Sequence, residues 1–520
     1  MSPTRTHAPW LVGLRSRTAE AFQATAIVLS VVAVTSVSGS TRDPRLRDDN
    51  PATDVFGRMF HLPPFAQPTP RMEAALAELG KRGGLMDAKD DLGAGPVALI
   101  TDPALSANNP NNDHHTAGVT FMGQFLDHDM TFDTSSRLGQ PTNPRTAPNA
   151  RRPLFDLDSV YGDGPVASPL LYQPSDRTKL RVESGGRFED LPRDGSGRAI
   201  IADPRNDENV IIGGLHAAFL LFHNHAVDVV RHEHPLWPDE VVFVEARRFT
   251  CWHYQWMILH EFLPLFVGPS MVDDVLSNGR RFYTPRTGEA FIPVEFQIAY
   301  RFGHSMVRPS YRANFTGNDG APFFAMVFDA TSTGAIEPSD LRGGVRSERR
   351  FIGWQTFFRF PGFEGDVRPN KRIDTKLSTP LFDLPLGAIA AGTPPTSLAQ
   401  RNLLRHLTWQ IPSGQAIAAE IGAPVLDDAN FAELRTIDPL LVRSTPLWYY
   451  VLKEAEVLES GAHLGPVGGR IVAEVFIGLL QLDPDSYVNR EPEFVPLLGG
   501  AIGDFHMTDF LTFAGVGDKR

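Results

Sequence analysis

Four stretches of this chain repeat their apolar residues at the 3.6-residue period of a helix that buries one face, and they limit what the rest can become. They are NVIIGGLHAAFLLFHNHAVDVV over 209–230, DEVVFVEARRFTCWHYQWMILHEFLP over 239–264, SLAQRNLLRHL over 397–407 and GGRIVAEVFIGLLQL over 468–482. A predominantly helical body follows. A shorter helical pattern, RMEAALAELGKR over 71–82, sits in a segment (41–118) rich in Asp, Asn, Pro and Gly, which reads as an arm wrapped over that body. The 45 glycines and 43 prolines make up about one residue in six of the 520, so long irregular connections are expected between the helices. No internal repeat, heptad run or low-complexity tract points to a solenoid or coiled coil.

An apolar fraction of 42% suffices for a substantial core, and a net charge of −12 argues against a nucleic-acid or anionic-membrane partner, both of which need a basic face. A small substrate or a protein partner fits better. The single cysteine, Cys251, excludes an intramolecular disulfide and any Cys-only metal site; it reads as a buried, inert thiol. Residues 21–40 form an apolar run behind Arg15 and Arg17 with small residues following, so residues 1–40 are expected to be a secretory signal or a membrane anchor. Export to a secreted or periplasmic location is the corresponding expectation; a leader that packs as a helix, with a cytoplasmic protein, is the alternative.

Five polar insertions interrupt the apolar pattern. In FMGQFLDHDMTFD (121–133), helical spacing puts Gln124, Asp127 and His128 on one face at i, i+3 and i+4, with Asp129 pointing elsewhere. The cluster suits an imidazole acid–base site and the separate carboxylate suits a hard cation, though an isolated motif of this kind is more often a solvated helix end. LFDLDSVYG (154–162) sets Asp156 and Asp158 two apart in a turn with enough oxygens for Ca²⁺, or for an ordinary Asx turn. Arg205 and Glu208 stand three apart at a helix start, a spacing that alone means surface support, with Asp203 or Asp207 as candidate caps. His304 lies in an apolar, aromatic run (293–311), where a lone histidine is usually a satisfied core residue, and Asn402 and Arg405 precede a Pro-Ser-Gly stop. His216, His223, His225, His232 and His234 suggest zinc, but no E-x-x-H pair occurs in the chain, so they read as packing or capping residues.

Together and in this order, the five stretches resemble the animal-type haem peroxidases of the peroxidase–cyclooxygenase superfamily, especially the bacterial members. The likeness runs from about residue 55 to the C-terminus and includes EARR (245–248), EFLP (261–264), PLWYYVLKEAE (446–456) and GPVGGRIVAE (465–474). It implies a single large, mainly α haem-peroxidase domain with little β, its catalytic body over 119–520. It further implies haem b as cofactor, with H₂O₂ and a halide, pseudohalide or small aromatic donor as substrates, and reaction through a ferryl intermediate.

Position by position, the resemblance makes His128 the distal histidine, Gln124 its neighbour, and Arg205 the distal arginine. Asp127 and Glu208 become the carboxylates that ester to the haem. His304 becomes the proximal iron ligand, Asn402 the acceptor of its outer N–H, and Arg301 and Arg405 the partners of the propionates. A structural Ca²⁺ is implied at Asp129 and the loop positions Arg152, Leu154, Asp156 and Asp158. Arg152 stands where a ligand Thr is usual, and Asp158 where mammalian members have Ser. Asn209 replaces the Met that one mammalian member links to haem, so no sulfonium bond is expected.

These residue types suit peroxide chemistry. A neutral imidazole can take a proton from H₂O₂ and return it to the leaving oxygen, and a fixed guanidinium stabilises the charge that develops. The fatty-acid dioxygenases and cyclooxygenases of the same superfamily are the nearest alternative. The cyclooxygenase radical tyrosine lies three before the proximal histidine, where this chain has Arg301, with Tyr300 rotated about 100° from it on a helix. An exported adhesion or matrix protein that keeps the fold without the activity is a second alternative, and a zinc hydrolase a distant third.

Overall fold

The computed structural model describes residues 55–184, 188–286, 289–317, 320–332, 337–344, 346–389 and 391–518. The apolar leader and the beginning of the arm lie outside the described residues.

Helix α1 (Pro70–Leu79) starts where its pattern predicts: Thr69 Oγ1 accepts from Met72 N at 3.3 Å, and Pro70 fills a first position that has no N–H to satisfy. Helix α2 (Ala117–Met130) carries the FMGQFLDHDM stretch and buries Val119, Phe121, Met122, Phe125 and Leu126. Its second residue must be Gly118, because a Cβ there would lie 2.4 Å from the Phe358 ring.

Helix α3 (Val210–Glu233) is long and apolar enough to cross a membrane, yet 89% of that apolar window is buried inside the fold, which makes it the core helix. Its cap is Asn209, whose Oδ1 accepts from Ile211 N (3.1 Å) and Ile212 N (2.9 Å). This corrects the expectation of Asp203 or Asp207. Asp203 caps the preceding 3₁₀ turn, Pro204–Asp207, accepting from Arg205 N at 2.9 Å, and Asp207 pairs with Arg193 at 2.7 Å.

The second pattern forms helix α4 (Asp239–Met257), a π turn (Ile258–Phe262) and helix α5 (Leu263–Val267). Pro264 explains the change of winding, since it has no N–H to return to the α-helical partner four residues back. Helix α6 (Val294–Ala299) tightens into a 3₁₀ turn, Tyr300–His304. Helix α7 (Leu398–Thr408) is capped by Ser397. It lies against α1, with Gln400 Nε2 donating to Ala77 O (2.7 Å) and Ser397 Oγ to Gly80 O (2.5 Å). Helices α8 (Leu447–Leu458) and α9 (Pro466–Leu482) are locked end to side, because buried Glu454 accepts from Val467 N and Gly468 N at the start of α9. Helix α10 (Met507–Phe513) closes on α3 through Phe510, stacked on Phe222 at 4.2 Å.

Among the described residues, the sheets are two-stranded antiparallel pieces, supplemented by isolated bridges. One of them, Asn111–Thr116 with Pro369–Lys371, fixes the approach to α2. The main apolar cluster runs from Phe56 to Val516, and a small second one around Val227, Val242 and Ala246 lies between α3 and α4. At its centre Phe125 stacks on Phe219 at 4.3 Å, and Tyr254 meets both rings edge-on. Each such pair contributes about 0.5–1.5 kcal/mol beyond area burial, and together they set α2, α3 and α4 relative to one another. Cys251 is buried, its Sγ 3.5 Å from Asp156 O.

Candidate active site

A cavity of about 620 Å³ opens between α2 and the Tyr300–His304 turn, within the size range of small-molecule and cofactor sites. Gln124, Asp127 and His128 of α2 line it together with Arg205, Glu208 and Asn209. Arg301, His304 and Arg405 line it as well. Eight of the nine residues assigned from the sequence to catalysis or haem binding thus border one space, and the ninth, Asn402, backs His304.

On the α2 wall, His128 Nδ1 is 2.8 Å from Asn206 Oδ1, so the ring donates through Nδ1–H and keeps Nε2 unprotonated. The other end of the amide, Asn206 Nδ2, faces His216 Nδ1 at 2.9 Å. Burial, helped by Arg205, brings His128 down to about 3, so the ring is neutral at ordinary pH. Arg205 is held on two edges by Asp203, with Nε–Oδ1 at 3.0 Å and Nη2–Oδ2 at 2.7 Å. Its Nη2 also donates to the carbonyl of Thr131 (2.8 Å), and its guanidinium lies over the Phe132 ring at 4.1 Å. Its Nη1 stands 3.8 Å from Asp127 Oδ2. The Arg205–Glu208 spacing therefore marks no ion pair, since the carboxylate of Arg205 is Asp203.

Gln124 bridges the wall, donating from Nε2 to Glu208 Oε2 (3.3 Å) and accepting at Oε1 from Asn209 Nδ2 (3.2 Å). Burial pushes Glu208 up to about 8 despite Arg205, and raises Asp127 against the pull of Arg205 and Arg301. Burial penalises the charged form of both carboxyls, and an ester bond would remove that charge.

On the facing wall, burial, with Arg301 and Arg405 adding to it, lowers His304 to about 3, leaving a neutral imidazole able to ligate a metal. Asn402 lies behind it, with Nδ2 2.7 Å from His304 Nδ1. This differs from the acceptor expected at that place, because Oδ1 is turned toward Arg301 Nη1 at 3.4 Å. The two ends of an amide are nearly the same shape, so turning it over presents Oδ1 to an Nδ1–H. Arg301 Nε has no hydrogen-bond partner among the described residues, and burial with neighbouring Arg405 lowers Arg301 to about 9. Arg405 Nη1 donates to Asp133 Oδ2 at 3.1 Å. An anionic group at this edge satisfies both arginines, and a haem carries two such carboxylates. The donor set, the apolar lining and the unpaired Arg301 nitrogen fit that cofactor.

Away from the cavity, Asp129, Asp156 and Asp158 each bring a carboxylate oxygen within 4.8 Å of the others, with Arg152 beside them and Leu154 N turned onto Arg152 O (2.8 Å). The helical histidines do not gather. His223 is taken by Tyr161 and Thr178 O, His225 by Phe513 O, and His234 stacks on Trp237.

Residues 134–330 match the family model described as animal haem peroxidase, a span that includes Arg205, Glu208 and His304 and begins just past His128. Over those residues the chain is similar to an animal haem peroxidase domain. The chain is 28% identical over 226 residues to mouse (Mus musculus) eosinophil peroxidase, covering 38% of this chain and 31% of that protein. The matches to its first curated relatives span about a third of those proteins' length or less. Peroxidase A of Dictyostelium discoideum superposes with a TM-score of 0.57 at 15% identity, covering 90% of this chain and 95% of that one. The fatty acid alpha-dioxygenase of Oryza sativa, in a structure with palmitic acid, gives 0.54 at 14% identity, covering 90% and 86%. At such identities the likeness is one of fold.

Three residues beside the cavity hold roles that the sequence pattern did not assign to them. Asn206 sets the His128 tautomer, Asp203 anchors Arg205, and Phe132 underlies the guanidinium. Asp203 and Asn206 flank Arg205 closely enough to have been considered with it; only the fold brings Phe132 there.

Proposed function

We propose that this domain is a haem-dependent peroxidase that reduces H₂O₂ at the expense of a halide, pseudohalide or small aromatic donor. The observation that supports this best is the pairing of two neutral, amide-backed histidines, His128 with Asn206 and His304 with Asn402, on the walls of one cavity. His304 is the iron ligand, Arg301 and Arg405 receive the propionates, and Asp127 and Glu208 are the ester-forming carboxyls. When bound, haem supplies the two-electron redox chemistry.

The remaining work belongs to the chain. His128 Nε2 takes a proton from peroxide and returns it to the departing oxygen, a role the Nδ1–H to Asn206 prepares. Arg205, held by Asp203, presents a permanent positive charge where negative charge develops. Gln124 orders the polar end of the cavity between Glu208 and Asn209. Leu381, Leu384, Ile389 and Leu398 keep another part of the lining apolar.

The test is the absorption spectrum of the purified protein and its reaction with H₂O₂, with and without a halide. A Soret band that responds to peroxide within seconds, with turnover on addition of donor, is the expected result. Oxygen uptake with linoleate and no donor turnover favours the dioxygenase reading; haem-free protein favours an adhesion role. We also propose export, on the strength of the apolar run behind Arg15 and Arg17. N-terminal sequencing of the mature protein tests this.

A further inference from the structure

The family resemblance implies a calcium ion at Asp129, Asp156 and Asp158, and the surroundings of these carboxylates do not suit one. Asp129, without exposure, spends its oxygens on hydrogen bonds: Oδ1 accepts from Ser159 Oγ (2.9 Å) and N (3.4 Å), and Oδ2 from Leu157 N and Tyr254 Oη (both 3.2 Å). Arg152 Nη2 lies 3.1 Å from Asp156 Oδ2, and its Nε lies 3.9 Å from Asp158 Oδ2. Its backbone N donates to the same Asp158 oxygen at 3.0 Å. Arg247 Nη2 approaches Asp156 Oδ2 at 3.6 Å, and Arg151 Nη1 approaches Asp158 Oδ1 at 3.3 Å.

Charge and geometry agree. Calcium needs about six to eight oxygens at roughly 2.3–2.6 Å with lone pairs free to face it. Here the oxygens of the cluster face N–H and O–H donors. Asp156 and Asp158 already meet three guanidiniums, those of Arg151, Arg152 and Arg247, and with Asp129 beside them the charges balance, so a divalent ion would add two uncompensated charges to a largely dry region, which is strongly unfavourable. The position usually held by a threonine ligand supplies a cation instead.

We propose that the Arg152 guanidinium replaces the ion, so that the 152–158 loop closes on α2 without metal. The brace also reaches the active site. Arg151 Nε lies 3.0 Å from Asp203 Oδ2, on the carboxylate that holds Arg205, so an ion-paired path runs from Asp158 through Arg151 and Asp203 to Arg205. The proposal does not depend on peroxide chemistry, and its test reads neither haem nor turnover.

The test is metal analysis, calcium titration calorimetry and thermal unfolding of the purified full chain, after chelation and again with millimolar CaCl₂. The wild type is expected to hold no stoichiometric calcium, to give no binding heat, and to unfold within about 1 °C in both conditions. Arg152→Thr is expected to unfold several degrees lower after chelation and to recover with CaCl₂, while Arg152→Lys stays indifferent to calcium. Stoichiometric calcium in the wild type, a chelator-lowered midpoint, or an Arg152→Thr midpoint equal to wild type and indifferent to calcium overturns the proposal. If Arg152→Thr does not fold, the wild-type measurements decide alone.

Discussion

The Nδ1 of His128 rests 2.8 Å from the amide oxygen of Asn206, and that single hydrogen bond determines which ring nitrogen is free to act as a base. Replacing the amide by an apolar group of similar size removes the preference without touching the proximal side. Asn206→Leu is expected to slow the reaction with H₂O₂ by about 10- to 100-fold with the Soret band retained, the usual scale for losing a histidine's supporting partner. His128→Ala retains haem and slows the same step further, by roughly 10²- to 10⁴-fold. Stopped-flow measurement of the first spectral change decides both, and an unchanged rate in His128→Ala rejects the assignment.

Asp203 is fully buried between Arg151 and Arg205. Asp203→Asn takes the nearest carboxylate from both guanidiniums, leaving Arg151 to Asp158 and Arg205 to the more distant Asp127, and breaking a buried pair in this way costs about 3–5 kcal/mol. Urea unfolding of the variant is therefore expected to shift to a markedly lower midpoint. A midpoint equal to wild type contradicts the anchoring role.

His304→Ala is expected to abolish stable haem retention on gel filtration. Asn402→Asp places an anion behind the ring in place of an amide that must turn over to accept, so the ligand becomes more basic and the ferric state is favoured. A lower reduction potential in a redox titration is the expected outcome, and an unchanged or higher one counts against Asn402 as the partner of a ligating histidine.

Asp127 and Glu208 lie on the same cavity wall, and burial favours the neutral form of each. If both carry ester bonds, acidified organic solvent extracts no haem from the wild type and none from Asp127→Val, but releases it from the Asp127→Val, Glu208→Gln double variant. Free haem extracted from the wild type eliminates the covalent link.

Burial holds His216, His223, His253 and His406 near 4 in the folded chain. Once unfolded, these rings titrate near 6.5, so between about 4 and 6.5 they contribute stability that rises with pH, while Glu208, Glu454, Asp374 and Asp483, raised to about 7 or 8 by burial, contribute with the opposite sign. The four imidazoles are therefore expected to show no titration between pH 8 and 5 when their ring C–H resonances are followed by NMR. A ring that titrates near 6.5 shows that burial does not keep it neutral.

The helices were legible because their apolar spacing is long and regular, and the α2 cluster because i, i+3 and i+4 share a face whatever the tertiary fold. The π turn at 258–262 was not legible in detail; it reflects a local conflict between Pro264 and a helix whose apolar pattern continues through it. The site divides in the same way. His128, Arg205 and His304 carry a family pattern, whereas Asp203 became visible only when its two oxygens were seen on Arg205. Phe132 reaches the guanidinium only through the fold. Arg152 was conspicuous as a departure from the pattern, but its meaning lay in the carboxylates the fold gathers around it.

Tyr300 donates its hydroxyl hydrogen to Gly123 O at 3.1 Å, and a Cβ on Gly123 would lie 3.4 Å from Phe266. The turn that carries His304 is therefore riveted to the helix that carries His128 by a contact between the two walls themselves. The slot has its width before anything enters it. A flat guest would be received like a coin between fixed jaws, and widening the gap for a bulkier one would require undoing a buried bond rather than moving a loop.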